Sequence, residues 1–342
     1  MTIGSPTLTP CPNLSKRVRQ LHNEEAAIEW AKLGYSQMTK DHNLCDENEC
    51  RANDLHTVKY VTKHTRDGCQ CCFLRTDPRA LRPIYDAGTF PVVSLTTENG
   101  SASLCVRAFQ PGVEYIAISH AISDGRGNVN DSALPACQLL EIDAYVRKLQ
   151  STARPNAEPG WFWMDTLCIP SHLIISTEYK AETRASFKQS TEKAVGTLVL
   201  DADIRQMGRG FSYSEAFLRI QFSSWSSRMW TLQEAVLTPK VFLQLKDDVV
   251  DLDVIIKAHD KDANNLNLPV EPFAVYGNLR KYLSGLGGYS IRSPAHLAML
   301  HQALRDRRTS NEVDKRLIVA NLLGMDARSL SEAIFDQVLH RE

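Results

Sequence analysis

Glu234 ends a run, Ser223-Ser224-Trp225-Ser226-Ser227-Arg228-Met229-Trp230-Thr231-Leu232-Gln233-Glu234, that gathers two indoles, a guanidinium and a carboxylate. If the run is helical, Ser226, Trp230 and Glu234 stand one turn apart on one face. A carboxylate beside an aromatic plate can serve a binding site. It can equally be a core tryptophan with a capping or salt-bridged glutamate, and spacing alone leaves both open.

A second group has the chemistry of a metal centre. Cys45-x4-Cys50 and His64-x4-Cys69-x-Cys71 fall within residues 42–72. Zinc takes four such soft ligands tetrahedrally, and a closed site can fold a short segment that lacks a core. The expectation is one zinc ion held among Cys45, Cys50, His64, Cys69 and Cys71, with Cys72 pointing elsewhere. The spacings match no standard zinc-finger pattern, so free thiols in a loop with His64 packed or solvated are the alternative.

These residues must be positioned by elements that the patterning predicts. Residues 14–38 carry Leu14, Val18, Leu21, Ile28 and Trp30 at near-helical spacing, after a tail over 1–13. Residues 91–96 and 102–109 flank Glu98-Asn99-Gly100, a strong hairpin signal. Four short apolar runs, 115–119, 161–164, 197–201 and 241–245, then alternate with helical patterns. One such helix starts near Leu134-Pro135, one covers 175–194, and one carries Trp230 and Glu234. This alternation predicts an α/β fold with a parallel sheet flanked by helices. Residues 247–342 read as helical, with a break at Gly285-Leu286-Gly287-Gly288.

In open parallel sheets, ligands bind outside the carboxyl ends of the strands. That rule selects Ser119 and His120 at the first end, with Asp124 in the following Ser123-Asp124-Gly125-Arg126-Gly127-Asn128 loop. It selects Asp165 at the second end and Asp201 at the third. Turn and cap roles are the alternative for each of them. Gly125-Arg126-Gly127 does not extend to a dinucleotide-binding fingerprint, and Cys168 sits in an apolar context that favours an inert thiol.

The bulk numbers exclude some classes. Net charge is −1 and basic residues are scattered, which argues against a nucleic-acid partner. No apolar run approaches the roughly 20 residues that span a bilayer, and residues 1–12 lack the pattern of a signal peptide. A cytoplasmic protein, with cysteines as thiols or metal ligands, is the expectation.

Three blocks also carry a family resemblance. Arg228-Met229-Trp230-Thr231-Leu232-Gln233-Glu234, preceded by Ser-Ser-Trp, resembles the last signature block of the fungal heterokaryon-incompatibility (HET) domain. Tyr115-Ile116-Ala117-Ile118-Ser119-His120 resembles its first block. Phe162-Trp163-Met164-Asp165-Thr166-Leu167-Cys168-Ile169-Pro170 resembles its second. Residues 197–201 fit the strand that follows, and Arg308-Thr309-Ser310 with Asp314 is similar to the family's downstream tail.

The resemblance implies a TIR/flavodoxin-like domain over 113–246. It would follow an N-terminal tail and helix (1–40) and a Cys/His segment with a hairpin (41–112), and precede a helical region (247–342). It also implies a role in incompatibility or innate immunity through regulated cell death, with protein partners or a second copy of the chain. Some TIR domains cleave the nicotinamide–ribosyl bond of NAD with a helical glutamate in a Ser-x-Trp-x-x-x-Glu context. The nearest residues here are Ser223, Trp225 and Glu234, with a longer spacing to the glutamate. NAD is the implied substrate and Glu234 the implied catalytic carboxylate. Ser119, His120, Asp124, Asp165, Arg228 and Trp230 would form the substrate site. A carboxylate near the ribose would stabilise an oxocarbenium-like state. The chain departs from the family at Ala121-Ile122-Ser123-Asp124, where a Val-Trp pair usually follows Ser-His, and at Phe187 and Thr191, where Met and Tyr are usual. The alternatives are a non-catalytic HET interaction module and a zinc-stabilised interaction protein.

Overall fold

The computed structural model describes residues 11–20, 28, 30–33, 40–54, 60–98, 100–151, 160–170, 177–258, 271–284, 290–309 and 312–339. Its strands are β1 (Phe73–Arg75), β2 (Pro91–Glu98), β3 (Ser101–Ala108), β4 (Ile116–His120), β5 (Ala133–Pro135), β6 (Trp161–Trp163), β7 (Gly196–Leu200), β8 (Val241–Gln244) and β9 (Val249–Asp251). The helices used below are α1 (Pro12–Gln20), α2 (Pro78–Asp86), α3 (Ala136–Ser151), α4 (Asp165–Cys168), α5 (Thr177–Glu192), α6 (Tyr213–Gln221), α7 (Met229–Leu237), α8 (Glu271–Ser284), α9 (Pro294–Leu304) and α10 (Glu312–Leu322).

The fold is α/β, as the alternation of runs predicts. A seven-stranded sheet runs β3-β2-β6-β4-β7-β8-β9. Its four middle strands pair in parallel. In chain order they stand second, first, third, fourth, which is the flavodoxin-like doubly wound order. The winding reverses between β4 and β7, so the crevice outside their carboxyl ends is where such a sheet opens a site. Every residue of β4 and β7 is buried, which explains why these strands read as continuous apolar runs rather than alternating ones.

Both faces are covered. Leu198 and Leu200 point into a core with Ile142 and Val146 of α3 and Phe187 of α5. Val199, Val241 and Leu243 point into the other, with α6, α7 and the C-terminal helices. The hairpin forms at its expected place: Glu98 pairs with Ser101, leaving a two-residue turn in which Gly100 takes φ +79°, a conformation that favours glycine. Through β2, which pairs with β6, this hairpin belongs to the main sheet.

The C-terminal helices are sewn to the segment before α7. Met229 N donates to Arg308 O at 2.8 Å, and Arg308 N to Ser227 O at 2.8 Å. The Arg307 guanidinium reaches Arg228 O, Thr231 Oγ1 and the Tyr276 hydroxyl. α8 and α10 pack on α7, where Asn321 Nδ2 donates to Gln233 Oε1 at 2.9 Å. Among the described residues, no helix is long and apolar enough to cross a membrane.

Two local expectations are corrected. Residues 224–227 form turns, Arg228 makes an isolated bridge to Arg308, and α7 begins at Met229, so Ser226 does not share a helix face with Trp230 and Glu234. Their run of serines supports turns better than helix, because serine hydroxyls bond local backbone: Ser223 and Ser227 donate to Ile220 O and Ser224 O. Pro135 ends β5, paired with β1, and α3 starts at the next residue, Ala136, as expected near Leu134-Pro135. Cys11, placed in the expected tail, is fully buried at the start of α1. Of the expected 14–38 helix, α1 and residues 28 and 30–32 are helical and Leu33 is in a turn; the rest lies outside the described residues, as does the 285–288 glycine break.

Candidate functional site

Three parallel strands and α7 deliver polar side chains to the switch point. β4 ends in Ser119 and His120, both buried. After β6, Asp165 opens α4, and its side chain is 34 % exposed, the most open of the group. Glu234, on the second turn of α7, is 8 % exposed.

The contacts are specific. Trp225 Nε1 donates to Ser119 Oγ at 2.7 Å, and the Ser119 hydroxyl favours the charged form of Glu234. Trp225 is wholly buried, and its indole fixes the orientation of Ser119. His120 Nε2 meets Asp165 Oδ1 at 2.7 Å, and Thr166 N donates to the same oxygen. Within this group, two buried atoms have no hydrogen-bond partner among the described residues, Glu234 Oε2 and His120 Nδ1.

Electrostatics separate the carboxyls. Burial pushes Glu234 up to about 7; the Asp165 charge adds to this, while the Ser119 hydrogen bond, His120 and Arg228 oppose it. Asp165 is shifted the other way. Burial alone would raise it, but the His120 imidazolium and the Thr166 N–H hold it below the usual carboxylate range. Burial likewise disfavours charge on His120, and the Asp165 carboxylate more than offsets this, so His120 is held above its ordinary value. Neighbouring carboxyls with opposed shifts are the pattern of an acid/base site.

Asp124 belongs to an adjoining group. It pairs with Lys40 Nζ at 2.7 Å, and accepts from Ser224 Oγ at 3.0 Å and Ala202 N at 2.9 Å. Asn53 Oδ1 accepts from Lys40 at 2.8 Å, and its amide donates to Ser227 Oγ. Asp201 closes this group, with Oδ2 on Trp225 N at 2.9 Å; burial, then Asp124 and Asp203, push it up to about 7. A cavity of about 1000 Å³ opens here, with Lys40, Asn53, Ser224, Arg228 and Arg308 on its wall. Arg228 connects the two groups, since its charge also acts on Glu234 and Asp165.

Trp230, expected as an aromatic plate, is used for packing. Its ring lies 4.7 Å from that of Phe187, its Nε1 donates to Asp314 Oδ2 at 3.1 Å, and it does not line the cavity. Cys168 is fully buried, and burial pushes its thiol up to about 12, as its apolar context predicts.

The single metal centre is corrected. Cys45 and Cys50 converge with Cys11 and His42, whereas His64, Cys69 and Cys71 converge with Cys137. Within each group the candidate ligand atoms lie within 4.8 Å of one another, so each could hold a metal ion. Exposed Cys72 belongs to neither. Neither group includes Glu234, His120 or Asp165.

Sequence reasoning missed Lys40, Asn53, Tyr60, Cys11, His42 and Cys137. The Tyr60 hydroxyl donates to Gly127 O at 2.5 Å, on the loop after β4. His42 carries a signal, lying three residues before Cys45, as does the abrupt start of the Cys/His-rich window. Lys40 and Cys137 carry none, because only the fold brings them to their partners. No protein-family model matches this chain, and no curated protein and no solved structure matches it.

Proposed function

We propose that this chain is a HET-type protein of fungal incompatibility or innate immunity, and that it promotes regulated cell death by TIR-like hydrolysis of NAD at Glu234. The observation that carries the reading is Glu234 itself. It is a buried carboxyl at the switch point, with one oxygen unpartnered and its ionisation balanced near neutrality.

In this reading the C1′–N bond breaks and its electron pair leaves with nicotinamide. The Glu234 carboxylate stabilises the ribosyl oxocarbenium that remains. Water adds to C1′, and its proton passes to a carboxylate or to solvent. Trp225 and Ser119 orient Glu234, while Arg228, which faces the cavity, receives the pyrophosphate. The His120–Asp165 pair sets the charge around the ribose. Zinc in the cysteine and histidine groups serves as scaffold, and the partners of the death-inducing state are proteins or further copies of the chain.

A non-catalytic interaction module is the second reading. It is favoured by one observation, that Glu234 does not line the cavity. Incubating purified protein with NAD and measuring nicotinamide separates the two. Hydrolysis is expected, and Glu234→Gln should lower it by roughly 100-fold or more, as loss of one transition-state stabiliser does. Folded wild-type protein releasing no nicotinamide would sink the enzymatic reading.

A further inference from the structure

The two cysteine–histidine groups have the dimensions of occupied tetrahedral centres. Zinc–sulfur bonds of about 2.3 Å and zinc–nitrogen bonds of about 2.0–2.1 Å put neighbouring ligands about 3.8 Å (S···S) and about 3.5 Å (S···N) apart at tetrahedral angles. Cys45 Sγ and Cys50 Sγ lie 3.8 Å apart, and His42 Nδ1 lies 3.5 and 3.7 Å from them. His64 Nδ1 lies 3.3 Å from Cys71 Sγ and 3.5 Å from Cys137 Sγ. The Cys45–Cys50 separation is nearly twice a disulfide bond of about 2.0 Å.

The backbone is also arranged for thiolates. Arg51 N donates to Cys45 Sγ at 3.1 Å, Thr65 N to Cys137 Sγ at 3.3 Å, and Cys137 N to Cys71 Sγ at 3.3 Å. Such outer hydrogen bonds orient metal ligands. Three soft thiolates and an imidazole select zinc over calcium or magnesium.

We propose that the chain binds two zinc ions, one at Cys11–His42–Cys45–Cys50 and one at His64–Cys69–Cys71–Cys137, and that together they staple the N-terminal segment across the mouth of the switch-point crevice. This rests on the reading of zinc as scaffold, and is independent of any NAD chemistry. The ligand sets cross three of the four segments expected from sequence. Cys11 ties the start of α1 to the 42–50 loop, which is flanked by Lys40 and Asn53, the partners of Asp124 and Ser224. Cys137, at the start of α3, ties down the 64–71 loop. Just before that loop, Tyr60 and Thr62 donate to Gly127 O, and Lys63 N donates to Gly125 O at 3.0 Å. The first ion therefore fixes one wall of the cavity, and the second fixes the loop that follows β4.

The experiment is metal analysis of the full chain purified without chelator. Two zinc ions per chain are expected. Cys11→Ser and Cys137→Ser should each leave one, and Cys72→Ser should leave two. X-ray absorption at the zinc edge of the wild-type protein should give an average of three sulfurs and one nitrogen per ion. This second measurement holds even if a variant fails to fold. Wild-type protein with one zinc or none, a colour and spectrum belonging to bound iron, or a coordination shell poor in sulfur would each overturn the proposal. None of these readouts involves NAD, so failure here leaves the Glu234 reading standing, and failure of hydrolysis leaves the zinc count standing.

Discussion

Replacing Glu234 with glutamine should remove a loss of stability that the wild-type protein undergoes as pH rises, by an amount the site itself sets. Burial raises the Glu234 carboxyl from 4.5 to about 7. The unfolded chain therefore ionises at this residue while the folded chain still holds the proton. Between those two values the unfolded state binds fewer protons, so stability falls as pH rises, and it levels off above about pH 7. The gap is worth on the order of 3 kcal/mol at about 1.4 kcal/mol per pH unit.

Glutamine resembles the protonated acid and lacks this loss. Its amide adds a buried donor that costs about 1–3 kcal/mol at every pH, so the informative quantity is the change in the variant-minus-wild-type difference. That difference should move in favour of Glu234→Gln by about 2–3 kcal/mol between about pH 4.5 and about pH 8. Asp201 and Asp203, raised to about 7 and about 6, give slopes of the same sign but are present in both proteins and cancel. The assay is urea unfolding of both proteins across this range, with the denaturant slopes compared to verify a common transition. Parallel stability–pH curves would refute the reasoning, because they would mean that Glu234 is not held as a buried, proton-retaining carboxyl. This loss of pH dependence should coincide with the loss of nicotinamide release, since both follow from removing the same destabilising charge.

Lys40→Met should destabilise by about 3–5 kcal/mol, because it leaves the buried Asp124 carboxylate unpaired. Lys40→Met/Asp124→Asn should recover much of that loss in the same unfolding assay; no recovery would mean that the pair is not coupled. Lys40 and Ser224 hold Asp124 below the usual carboxylate range against the effect of burial, so its contribution is present above the ordinary value near 4 and lost as pH falls below it. Trp230→Ala should cost about 3–5 kcal/mol, as large aromatic truncations do. Trp230→Phe should cost less, about 1–2 kcal/mol, from the lost Asp314 hydrogen bond and the smaller ring. Equal costs for the two Trp230 variants would show that packing on Phe187 contributes little.

What the chain revealed before folding follows from how far apart the cooperating residues lie. Strand positions were legible because a strand buried on both faces must be apolar throughout, and the runs at 115–119 and 197–201 became β4 and β7 with their ends shifted by one residue. Polar groups where those runs stop marked the switch point for the same reason: Ser119, His120 and Asp165 stand where apolar burial gives way to a crevice. The role of Trp225 was not legible. Only the crossing of the turns before α7 over β4 turns its N–H toward Ser119. The metal ligands fail by the same logic on a larger scale. Local spacing groups Cys45 with Cys69 because they are close in sequence, yet a tetrahedral centre is indifferent to sequence distance, and each group is completed by a cysteine from another element. Cys11 and Cys137 sit at the starts of α1 and α3, and helix starts are where a folding chain can present a thiolate with its charge favoured by the helix dipole. The sheet thus supplies the crevice from sequence-local patterns, whereas the groups that close over it are assembled by contacts across the whole N-terminal half. Loss of either metal group should therefore be felt at Lys40 and Asp124 before it is felt in the strands.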